Sequence, residues 1–75
     1  MQVKEYPLRA YGKAELAEAY MRGRIAPDSE RKWLMHEIRL YPGLMQTLET
    51  LGYNTRQKNF TRAQVAAIFE ALGPP

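Results

Sequence analysis

Residues 28–43 read DSERKWLMHEIRLYPG. Leu34, Ile38 and Tyr41 stand at i, i+4 and i+7, the spacing of a buried helical stripe. Trp33 and Leu40 are placed at the flank of that stripe. Lys32, His36 and Arg39 gather on the opposite face, with Arg31 at the border. Asp28 or Ser29 can cap the start, and Glu30 puts an acid in the first turn. Pro42 disfavours helical geometry at Tyr41, so the helix is predicted to stop there. Glu37 falls between Trp33 and Leu34 in angle. It either pairs with an arginine at the core edge or marks the end of the apolar stripe.

Upstream, Lys13 to about Met21 has the same rhythm. Leu16, Ala17, Tyr20 and Met21 share one face, while Glu15, Glu18 and Arg22 take the wet side. Gly23 is the expected stop. Before it, Tyr6, Leu8 and Ala10 alternate with Pro7 and Arg9. Met1 to Ala10 therefore reads as an extended segment or edge strand, broken at Tyr11 and Gly12.

Downstream, Pro42 can open a third helix, in which Leu44, Leu48 and Leu51 repeat at helical spacing. Gly52 is the expected left-handed residue at its end. The segment YNTRQKNF, residues 53–60, has aromatic ends and a polar, basic middle. It reads as a short hairpin or an ordered loop. Thr61 and Gln64 match a capping box, and Phe60 with Val65 matches a hydrophobic staple. Val65, Ile68, Phe69 and Leu72 complete the apolar face of a fourth helix, stopped by Gly73 and Pro74. The expected fold is mainly α: four short helices in a helix-turn-helix-like domain, with an extended N-terminal segment and a possible small hairpin or wing before the last helix.

The chain has 75 residues, enough for one domain over 1–75. At this size roughly 60% of the unfolded surface is buried, so the core is small. There is no cysteine, hence no disulfide or thiolate metal site. No apolar run approaches the ~18 residues of a membrane span. The N-terminus, MQVKEYPLRAYGK, lacks a signal-peptide core. A soluble cytoplasmic protein with no membrane partner is the expectation. The formal charge is +3 and the pI about 9.5, a balance that suits anionic partners. A small excess of Lys and Arg is also common on ordinary soluble surfaces.

Enzymatic chemistry finds no footing. His36 is a lone histidine among basic neighbours. A metal site needs several ligands. Gly12, Gly23, Gly43, Gly52 and Gly73 sit at element boundaries and make no phosphate-cradling loop. Glu15 and Glu18 lie on a solvated face. No enzyme, cofactor, metal or small-molecule substrate is expected.

Two helices joined by a link, the second basic, describe a helix-turn-helix unit. AELAEAY resembles the first helix of such units and SERKWLMHEI the recognition helix. Arg31, Lys32, His36 and Arg39 are then candidates for DNA contact. Arg56 and Lys58, with Arg62 behind them, resemble a wing that touches phosphate. The link MRGRIAPD is longer than the tight turn usual in that motif. Tyr53, Phe60 and Trp33 can stack on bases, but each also occupies a position a core would use. The alternative is a protein-interaction or adaptor module, a homodimer included, with Met21, Met35 and Met45 lining an adaptable surface.

RAYGKAELAEAY, the tryptophan helix running into IRLYPGLMQTLETLGY, and NFTRAQVAAIFEALGPP together resemble the short bacterial proteins of domain of unknown function 4248. The similarity runs from Arg9 to Pro75. It implies a small intracellular bacterial protein. It implies no activity, so no residue role is carried over.

Overall fold

A computed structural model describes residues 6–22 and 24–75. Among the described residues the chain is mainly α, with helices α1 Lys13–Met21, α2 Pro27–Leu40, α3 Leu44–Thr50 and α4 Arg62–Leu72. Two short strands, β1 Tyr11–Gly12 and β2 Asn59–Phe60, pair antiparallel, Tyr11 opposite Phe60 and Gly12 opposite Asn59. The most extensive helix contact is α1 against α2, and α3 packs on both α2 and α4.

The core follows the predicted stripes. Leu16 and Ala17 of α1, Leu34 and Ile38 of α2, Leu48 of α3, and Val65 and Ile68 of α4 are fully buried. Tyr11, Leu44, Tyr53 and Phe60 close the ends. The start of α4 is the predicted one. Thr61 Oγ1 accepts from the Gln64 backbone N–H at 3.2 Å, and Gln64 Oε1 accepts from Thr61 N–H at 3.0 Å. Phe60 and Val65, the staple pair, are both fully buried.

Several expectations are corrected. Met1–Glu5 lie outside the described residues, and residues 6–10 form no strand. The strand is instead Tyr11–Gly12, two residues too short to leave an alternation signal. It holds because Tyr11 inserts its ring against Phe69, centroids 6.1 Å apart, while its backbone meets Phe60. Gly23 also lies outside the described residues. The residue closing α1 is Arg22, left-handed at φ 55.

α2 starts earlier than predicted, on Ala26 with Pro27 in its first turn, and neither Asp28 nor Ser29 caps it. Leu40 and Tyr41 are exposed, at 62% and 44%. Leu40 is two residues from Ile38, about 200° around the helix, and so on its far side. Tyr41 follows the last helical residue with an extended backbone, φ −74 and ψ 120, which turns it off the stripe. Met35 is buried in their place. Pro42 does not open α3. It sits in the turn before Gly43, which adopts φ 79 ahead of Leu44. Leu51, just past α3, is exposed.

Candidate nucleic-acid interface

The segment 53–60 is an ordered loop whose last two residues form β2. Its hydrogen bonds explain the order. Asn54 Oδ1 accepts from Arg56 N–H at 2.9 Å, and Gln57 N–H donates to Asn54 O at 3.2 Å. The Gln57 amide donates to Gln64 Oε1 at 2.7 Å. Gln64 is 1% exposed and donates from Nε2 to Leu51 O at 3.2 Å. One buried amide thus joins the capping box of α4, the end of α3 and the basic loop.

That loop lies against the N-terminus of α1. Lys13 N–H donates to Lys58 O at 2.8 Å, continuing the β1–β2 pairing by one rung. Lys13 is about nine-tenths buried. Its Nζ donates to Thr55 O at 3.3 Å and sits 4.8 Å from the Tyr53 ring centroid and 6.0 Å from that of Phe60. Among the described residues it has no ion pair.

Lys13 borders two adjoining cavities. One, about 250 Å³, is lined by Arg31, Lys32 and Arg39 of α2 together with Met35, Tyr53 and Thr55. The other, about 480 Å³, is lined by Arg31 again with Thr55, Arg56, Gln57, Lys58 and Asn59. Neither lining includes an Asp or Glu among the described residues. At their edge Asp28 Oδ1 accepts from Arg31 at 3.1 Å. Both side chains are half or more exposed, so solvent screens the pair.

Five of the seven candidates read from the sequence therefore meet: Arg31, Lys32, Arg39, Arg56 and Lys58. His36 and Arg62 are exposed but line neither cavity. The group that sequence reasoning missed is Lys13. Its position at the first turn of α1 carries no signal of burial, because the loop that covers it is more than forty residues away. The Glu15 carboxylate is occupied elsewhere. Glu15 takes a bidentate contact from Arg9, at 2.8 and 3.3 Å, and accepts from Gly12 N–H at 3.2 Å. The Arg9 contact, helped by the Gly12 amide, holds the Glu15 carboxyl below the usual carboxylate range.

The aromatic residues are engaged in packing. Tyr53 and Phe60 stack at 5.6 Å with planes 25° apart, and Tyr53 OH donates to Met35 Sδ at 3.7 Å. Trp33 is half-buried against Tyr20, centroids 6.1 Å apart. Met35 is buried and Met45 packs partly into the core, so these two do not form an exposed surface. Among the described residues no helix is long and apolar enough to cross a membrane, and no cluster of three metal-ligating side chains occurs.

No curated protein and no solved structure matches the chain. A family model described as domain of unknown function (DUF4248) matches residues 7–75, and the chain belongs to that family.

Proposed function

We propose that this family member binds duplex DNA through the basic face formed by Lys13, Arg31, Lys32, Arg39, Arg56 and Lys58. The observation that carries the reading is the convergence of these six cations on two adjoining cavities with no carboxylate in either lining. Cations so arranged neutralise phosphates and release condensed counterions, which supplies most non-specific affinity. In this reading α2 acts as the recognition helix of a helix-turn-helix-like unit and the 53–60 loop as its wing. Lys32, His36 and Arg39 are exposed along α2, as a groove-facing helix requires. Tyr53 and Phe60 have their faces occupied by each other and by Lys13, which favours phosphate contact over stacking on unpaired bases.

The test is a mobility shift with labelled bacterial duplex DNA in low salt. A retarded complex that dissolves as salt rises is the expected result. Replacing Arg56 and Lys58 weakens binding to every sequence alike, whereas replacing His36, exposed on α2 outside both cavities, changes sequence preference. DNA left unshifted at low salt overturns the reading.

A second reading, a protein-interaction module, draws on the exposed Leu40 and Tyr41 and on the groove that Tyr41, Pro42 and Leu44 share with Ala67 and Ala71. Light scattering distinguishes it: a strictly monomeric mass removes self-association through that groove.

A further inference from the structure

We propose that Lys13 and Arg31 form a discrete oxyanion subsite, built to take one phosphate group at the wall shared by the two basic cavities. The inference deepens the DNA-binding reading and rests on the same face, but on a different observation. Arg31 and Lys13 are the two cations that line both cavities. Five of the six cations on that face are exposed, and Lys13 is not.

An ammonium taken out of water needs compensation for its lost hydration. Within the protein the acceptors offered to it are few. Nζ has three donors, and one is met by Thr55 O at 3.3 Å, a long bond. The Tyr53 ring at 4.8 Å offers its negative face. No carboxylate supplies the counter-charge among the described residues. A phosphate entering either cavity brings a counter-charge and further acceptors to this ammonium. Such a charge-assisted contact is stronger than one to a freely moving surface lysine, because Thr55 O and the Tyr53 ring already hold Lys13 in place. The Arg31 guanidinium, on the rim, adds a second set of donors. Asp28 competes for it only through a screened surface contact.

The same chemistry suits a backbone phosphodiester or a free phosphate, and the experiment separates them. Inorganic phosphate is titrated into ¹⁵N-labelled protein at constant ionic strength, with chloride as the reference anion. Saturable shifts confined to the amides of Lys13, Arg31, Thr55 and Lys58 are expected, and they vanish in Lys13→Met. Absence of saturation, or an unchanged response in Lys13→Met, overturns the subsite. Should Lys13→Met fail to fold by circular dichroism, Arg31→Gln, altered at an exposed side chain, carries the test: it weakens the phosphate response about tenfold if the subsite exists.

Duplex DNA is then added. Displacement of phosphate from these amides assigns the subsite to the polynucleotide backbone. Phosphate binding without any DNA binding keeps the subsite, assigns it to a free phosphate and rejects the DNA reading. DNA binding that Lys13→Met and Lys58→Gln weaken by the same factor keeps the DNA reading and rejects the subsite. If the subsite exists, Lys13→Met costs about tenfold more than Lys58→Gln.

Discussion

Tyr20 joins the first helix to the end of the last, its hydroxyl donating to Gly73 O. Burial pushes its phenol up to about 12. The ordinary value is about 10, so the folded state resists an ionisation that the unfolded chain accepts. That contribution is intact below pH ~10 and is lost as pH rises towards the folded value. Tyr20→Phe is expected to lower stability at neutral pH by about 1 kcal/mol and to melt with a shallower alkaline decline. Thermal melts across pH 8–12 check both. Glu15 has the opposite sign. Its folded carboxyl is held low by Arg9, so the contribution is present at neutral pH and is lost as acid titrates through the lowered value. Arg9→Gln should flatten the acid limb of a melting-temperature profile. Arg22 bears backbone strain that glycine would not. Arg22→Gly keeps the N–H contact to Glu18 O, and a net gain of roughly 0.5 kcal/mol in urea unfolding is expected after the unfolded-state entropy of glycine is subtracted.

The helices differ in how openly their boundaries were written. α4 was legible from end to end, because its start is local chemistry: a Thr and a Gln three residues apart, with Phe60 and Val65 around them. α2 was legible in its stripe and less so at its ends. Its sequence offers Asp28 or Ser29 as the cap, yet Ala26 and Pro27 begin it, and Asp28 turns to Arg31 instead. The sequence of residues 53–60 suits a hairpin and an ordered loop alike. Its order comes from Gln64, which also serves the α4 cap. Gln64→Ala removes one cap partner and leaves Leu51 O without its side-chain donor. A loss of about 1–2 kcal/mol is expected. Amide exchange at Arg56 to Lys58 should quicken more than in α1, which tests whether this residue positions the basic loop.

The whole molecule gathers charge that is dispersed along the chain. Lys13, three cations of α2 and two of the loop come together because β1 pairs with β2 and α1 packs on α2. If all six reach phosphates, the logarithm of the DNA association constant should fall with the logarithm of salt at a slope of about −5. Replacing Arg56 and Lys58 together should reduce that slope by about 2, measured by fluorescence anisotropy over a salt series. Arg62→Gln should change it little, since Arg62 lines neither cavity. An equal loss from Arg62→Gln would move the binding surface towards the start of α4.

The helical class, most of the buried stripe residues and the α4 start depend on contacts within a few residues, so periodicity and capping chemistry reveal them. Lys13 under Thr55, Tyr11 against Phe60 and the common wall of the two cavities depend on contacts between remote parts of the chain. Chain closure brought them together, and no local pattern encodes a partner more than forty residues away.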